Sequence, residues 1–91
     1  MGRVLVTLRI MPESVDVSLS KLKEEISNLI EEYGGKVIKV EEEPIAFGLI
    51  ALRIIYGVDE NKGGTQEIED KVNEVDGVRG GEVIDVRREF G

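Results

Sequence analysis

Apolar residues recur along these 91 residues with two periods, and the order in which the periods alternate constrains the fold more than any other feature. From Arg3 to Ile10 the period is two. Val4, Val6, Leu8 and Ile10 point one way and Arg3, Leu5, Thr7 and Arg9 the other, which describes a half-buried strand. Met11-Pro12-Glu13-Ser14 ends it. Leu19, Leu22, Ile26, Leu29 and Ile30 follow at helical spacing, with Lys21, Lys23, Glu24, Glu25 and Glu31 on the opposite side. The spacing predicts an amphipathic helix over residues 19–32, capped by Ser18 and stopped by Gly34-Gly35. Lys36 to Glu41 reads as a second strand with Ile38 and Val40 inward, broken by Glu41-Glu42-Glu43-Pro44. Phe47 to Tyr56 reads as a third, with Leu52 and Ile54 in the core. Its near-continuous apolar run fits a central strand. Gly57 to Gly64 reads as a loop and Thr65 to Val75 as a second helix with Ile68, Val72 and Val75 on one face. Val78, then Val83 to Arg88, form the last strand, with a bulge or irregular entry at Gly80-Gly81.

Strand, helix, strand, strand, helix, strand is the order of two split strand–helix–strand units. The expected fold is therefore α+β, a ferredoxin-like βαββαβ sandwich: a four-stranded antiparallel sheet with two helices on one face. The length suits one core, so residues 1–91 read as a single domain.

Composition then removes whole classes of chemistry. The chain has no Cys and no His. A thiol nucleophile, a disulfide framework, a zinc knuckle and a Ser-His-Asp triad are excluded. The formal net charge of -7 argues against a nucleic-acid binder, which needs a basic face. With aromatics at 4%, base-stacking platforms are out of reach as well. The longest apolar-rich run, Ile45 to Tyr56, is interrupted by Arg53 and is too short to span a bilayer. No secretory signal pattern opens the chain, and the expected location is the cytoplasm.

This architecture hosts many functions, so a function must come from particular residues. Gly63-Gly64-Thr65 reads as a turn and cap rather than a phosphate loop, because the Lys of that motif is absent. Glu41-Glu42-Glu43 reads as a solvated strand end rather than a cation site. No metal or cofactor is expected. Phe47, in Pro44-Ile45-Ala46-Phe47-Gly48, is one of four aromatics and has two readings. It projects as an anchor into a partner's pocket, or it caps the core at the end of the sheet. Arg87-Arg88 is the one adjacent basic pair, in a stretch (residues 63–91) with 4 basic and 8 acidic side chains. The pair contacts carboxylates of a partner or makes surface ion pairs with Asp85 and Glu89. Strand alternation sends the two side chains to opposite faces.

Four segments together resemble the archaeal elongation factor 1-beta family. They are Met11-Pro12-Glu13-Ser14, Glu42-Glu43-Pro44-Ile45-Ala46-Phe47-Gly48-Leu49, Gly63-Gly64-Thr65 and Val83-Ile84-Asp85-Val86-Arg87-Arg88. The likeness runs from Gly2 to Arg88 and extends to the C-terminal exchange domain of the eukaryotic factor. It implies the ferredoxin-like fold and a guanine-nucleotide exchange factor, not an enzyme. The implied partner is elongation factor 1-alpha, the GTPase that delivers aminoacyl-tRNA to the ribosome. In the eukaryotic domain a Phe-Gly pair at this strand supplies the aromatic that enters the GTPase, and Phe47-Gly48 match it. Ala46, Phe47 and Gly48, with Arg87 and Arg88, are the candidate partner-contact residues. One departure stands out. The eukaryotic domain carries a Lys near its C-terminus that disturbs the magnesium and phosphate region, whereas this chain ends Arg87-Arg88-Glu89-Phe90-Gly91. The alternative from another class is a small-ligand-binding regulatory module that dimerises through its sheet.

Overall fold

Alternation along the first strand decides which side of the sheet is dry. The computed structural model describes residues 2–59 and 65–89. The chain runs β1 (Arg3–Pro12), α1 (Leu19–Glu32), β2 (Lys36–Pro44), β3 (Ile50–Asp59), α2 (Thr65–Val72) and β4 (Val78–Glu89). The strands form one antiparallel sheet in the order β2-β3-β1-β4. This is the ferredoxin-like βαββαβ arrangement that the periods predict. Val6, Leu8 and Ile10 of β1 are fully buried, and their partners on β3 are Tyr56, Ile54 and Leu52. Leu22, Ile26 and Ile30 of α1 and Ile68 and Val72 of α2 close over them in one core. Helix α1 starts where the sequence places it, because the Ser18 hydroxyl accepts from the Lys21 amide at 3.4 Å.

Helix α2 is tied to β4 by polar groups as well as by packing. The Asn73 amide nitrogen donates to the carbonyls of Glu69 (2.8 Å) and Gly81 (3.0 Å), and its oxygen accepts from the Gly81 amide at 3.0 Å. The Glu69 carboxylate accepts from the Val83 amide at 2.8 Å. Gly81 is required here by space: a methyl in its place would sit 2.8 Å from Val72 Cγ1.

Several boundaries differ from the sequence reading, each for a physical reason. Strand β2 does not break at Glu41 but runs on to Pro44, with Glu41, Glu42, Glu43 and Pro44 paired to Arg53, Leu52, Ala51 and Ile50. It is an edge strand, where charged side chains are solvated and a Pro can leave its missing N–H on the outer side. Strand β3 begins at Ile50 rather than Phe47, because Phe47 and Gly48 both have positive φ (57° and 78°) and belong to a turn. At its other end β3 runs through Gly57 to Asp59, so Gly57 is not loop. Ile38 is not inward but 49% exposed. The pairing shifts between Val37 and Lys39, so Ile38 bulges and Val37 takes the place against the core. Helix α2 ends at Val72, and the chain tightens into a turn in which Val75 still packs on the core. Strand β4 is continuous through Gly80-Gly81, with register shifts opposite Met11/Pro12 and Thr7/Leu8. The Gly63-Gly64 and Phe90-Gly91 readings lie outside the described residues.

Tyr56 titrates as its burial requires. It is fully buried, its hydroxyl has no hydrogen-bond partner among the described residues, and its pKa is pushed up to about 12 by burial and, secondarily, by the negative charge of Glu69. A folded-state pKa above the ordinary 10.0 means this contribution to stability is whole below pH 10 and is lost as pH rises toward 12. Urea unfolding of the wild type should therefore weaken between pH 10 and pH 12 more than that of Tyr56→Phe. At neutral pH the variant should be at least as stable, since no partner is stranded.

Candidate functional site

The connection between β2 and β3 is the most unusual stretch of backbone. Ala46, Phe47, Gly48 and Leu49 make a turn in which the Ala46 carbonyl accepts from the Leu49 amide at 3.0 Å. The Ile45 amide donates to the Leu49 carbonyl at 2.9 Å and closes the hairpin behind it. Positive φ at both central residues is the requirement of a type I′ turn, whose twist matches the flanking strands. Asn, Asp and Gly normally meet that requirement. Gly48 does so without strain, whereas a left-handed φ at a β-carbon-bearing residue such as Phe47 costs roughly 1–2 kcal/mol. Phe47 is the single non-glycine residue with positive φ among the described residues.

The strain is not offset by burial. Phe47 is 97% exposed, so the ring does not cap the core, and that reading of the sequence is excluded. The end of the molecule around it is apolar. Ile45 in the same turn is 37% exposed, and Val15 in the loop between β1 and α1 is 60% exposed. A methyl on Gly48 would lie 3.5 Å from Val15 Cγ1, so that loop abuts the hairpin tip. Sequence reasoning passed over Val15. Its one signal was an aliphatic residue between the polar Ser14 and Asp16.

Arg87 and Arg88 lie elsewhere. They pair with Leu5 and Val4 of β1, and Leu5 pairs with Gly57 of β3. From Gly57 back to Ile50 the strand covers roughly 23 Å at about 3.3 Å per residue. The hairpin tip and the arginine pair therefore stand at opposite ends of the sheet. The structure brings Ala46, Phe47 and Gly48 together and does not bring Arg87 or Arg88 to them. Arg87 is held locally, with Nε 2.9 Å from Asp85 Oδ2. Arg88 is exposed on the other face of the strand.

The acidic triplet is dispersed in the same way. Glu41 and Glu43 face the helix-free side of the sheet, where Glu43 Oε1 lies 3.4 Å from Arg9 Nε, while Glu42 faces the other side. Among the described residues no group of three or more carboxylates is arranged to hold a metal. No described helix is long and apolar enough to cross a membrane. A pocket of about 340 Å³ opens on the helix-free face between Arg9, Met11, Arg79, Gly80 and Glu82, with both charge signs on its walls.

Comparison with known proteins bears on the same residues. The family described as the EF-1 guanine nucleotide exchange domain matches residues 5–88. The chain belongs to that family. It is 48% identical over 88 residues to the elongation factor 1-beta of Methanothermobacter thermautotrophicus, covering 97% of this chain and 98% of the relative. It is 44% identical to the elongation factor 1-beta of Sulfolobus acidocaldarius over 93% of this chain and 94% of that one. Among solved structures it is similar to 30S ribosomal protein S6 of Thermotoga maritima. There the TM-score is 0.64 at 20% identity, over 99% of this chain and 90% of that one. The ACT domain of a GTP pyrophosphokinase from Chlorobium tepidum gives a TM-score of 0.60 at 20% identity, over 88% and 96%. At such identities the structural likeness concerns the fold alone. Membership of the exchange-domain family makes this a translation elongation factor of the exchange type. The matched residues contain the whole strained turn.

The turn itself yields a stability prediction. Asn tolerates a left-handed φ that Phe does not, and the exposed ring loses no burial when removed. Phe47→Asn should raise the unfolding free energy by roughly 1 kcal/mol in urea titrations. Phe47→Ala, still strained, should stay near the wild type. A loss of stability in Phe47→Asn would show that the ring supports the fold.

Proposed function

We propose that this exchange domain speeds release of GDP from elongation factor 1-alpha, and that Phe47 is the residue that enters the GTPase. The observation that carries the reading is an aromatic ring 97% exposed on a strained turn. Strain at a residue that contributes nothing to the core points to selection for presentation. Family membership supports the class of activity, and the exposed, strained ring supports Phe47 as its contact residue.

No bond is made or broken in nucleotide exchange, so a chain without His or Cys is sufficient. The work is done by coupling. A factor that binds the nucleotide-free GTPase more tightly than the GDP form weakens GDP binding by the same factor. Contacts that differ between the two forms must lie where the GTPase holds phosphate and magnesium. In this reading the ring of Phe47 displaces an element beside that region, and Ala46 and Gly48 give the ring a narrow base. A net charge of -7 favours encounter with basic surface on the partner. Arg87 and Arg88 act as a separate electrostatic contact, since an interface that includes the tip and the arginines must run the length of the sheet.

The test is release of fluorescent GDP from elongation factor 1-alpha of the same organism. The wild type should accelerate release well above the spontaneous rate. Phe47→Ala should keep the melting temperature and lose most of the acceleration, while a fully active Phe47→Ala would remove Phe47 from the mechanism. The Arg87→Ala/Arg88→Ala double variant should show a deficit that shrinks as salt is added, because exposed charges are screened. A deficit independent of salt would reject the electrostatic role.

A further inference from the structure

We infer that Val15, on the loop between β1 and α1, is a second partner-contact residue. With Ile45 and Phe47 it forms one apolar docking surface, which fits an apolar pocket with a basic rim on the GTPase. The inference rests on the proposed exchange reading and extends it from one residue to a surface built by two loops.

Three observations meet at this place. First, the loop is a made structure rather than a slack connection. The Asp16 amide donates to the Ser14 hydroxyl at 3.3 Å and the Val17 amide to the Ser14 carbonyl at 3.3 Å. The Glu13 amide donates to the Gly77 carbonyl at 2.9 Å, which fastens the loop to the turn before β4. Second, that fastened loop carries its aliphatic side chain outward. Val15 is 60% exposed, whereas Val17, two residues on, packs against the core. Third, Val15 abuts the strained turn, with Cγ1 3.5 Å from the position a methyl on Gly48 would take. Exposed apolar groups gathered at one end of the molecule can be covered by a partner in a single desolvated patch.

The charges around the patch specify the partner's rim. Glu13 and Asp16 flank Val15, and Glu42 and Glu43 precede the turn. Glu13, Asp16 and Glu42 are exposed. An apolar centre with an acidic border is the anatomy of a protein interface with a desolvated core and a solvated rim, here complementary to basic groups. The remaining exposed aliphatics do not belong to this surface. Ile38 sits in the β2 bulge beside Val37, which pairs with Tyr56, Ile84 sits in the β4 irregularity opposite Thr7 and Leu8, and Val86 sits opposite Val6, all away from the tip.

Two measurements with the whole protein test the inference. In the fluorescent-GDP assay, Val15→Asp should keep the wild-type melting temperature. It should raise the concentration needed for half-maximal acceleration roughly tenfold, the scale of a contact near an interface centre. Val15→Ile should behave as wild type. In methyl NMR, addition of the GTPase should shift or broaden the Val15 and Ile45 methyl signals and leave Ile38, on the opposite edge strand from Arg87 and Arg88, in place, a readout that needs no variant to fold. An active wild type with unperturbed Val15 methyls, or with Val15→Asp at the wild-type half-maximal concentration, would overturn the inference and leave the exchange reading standing. A wild type that neither binds the GTPase nor speeds release would overturn both.

Discussion

The register between β1 and β3 is the constraint on which the rest of the structure depends. Ile10 opposite Leu52, Leu8 opposite Ile54 and Val6 opposite Tyr56 place six large side chains on the face that the helices cover. Slipping one strand by a single residue would turn Arg53 or Arg9 into that core and its aliphatics into water. The cost of burying an unpaired guanidinium makes the register unambiguous. Once it is set, β3 must be entered from the far side at Ile50, and the chain between Pro44 and Ile50 has to reverse in a few residues. The exposed tip is therefore a consequence of core packing, not an independent loop.

What the core does not dictate is the residue at the tip. A turn of this geometry asks for Asn, Asp or Gly at its first central position, and this chain has Phe47. The local rule is broken where neither packing nor hydrogen bonding benefits, which is the pattern of a site held for something outside the molecule. The strain is small beside the stability that a core of more than a dozen buried apolar residues can support, so the fold tolerates it. Away from the tip the exposed aliphatics Ile38, Ile84 and Val86 are scattered over β2 and β4. Elsewhere the long arginines of β1 and β3 lie across the helix-free face, where Arg9 and Arg53 are only partly exposed.

The sheet and α1 were legible in the sequence because one face of each is buried, and burial writes a period into the residues. Leu22, Ile26 and Ile30 fall on the predicted stripe, and Ser18 caps the helix as its position before Leu19 predicts. Legibility ends where the period does. A bulge adds one residue and reverses the alternation after it, so Ile38 read as inward and Val37 did not. The apolar stretch from Ile45 to Tyr56 hid a turn, since a sign change in φ at Phe47 leaves no mark on hydropathy. Pro44 and three glutamates read as a break, although an edge strand accommodates them. For the site, Phe47-Gly48 stood out by composition and by resemblance. Val15 did not, because its position beside Gly48 arises only when two loops distant in sequence meet.

The claim at the centre is that an exposed, strained ring becomes buried in the partner. The chain has two phenylalanines, Phe47 and Phe90, and no tryptophan, so fluorine-labelled phenylalanine offers a nearly private signal. Fluorine NMR of the labelled protein should show the Phe47 resonance sensitive to exchange of H2O for D2O when free. On addition of nucleotide-free elongation factor 1-alpha it should move and lose that sensitivity. A Phe47 resonance that stays solvent-sensitive while the complex forms and GDP release is accelerated would contradict the account directly.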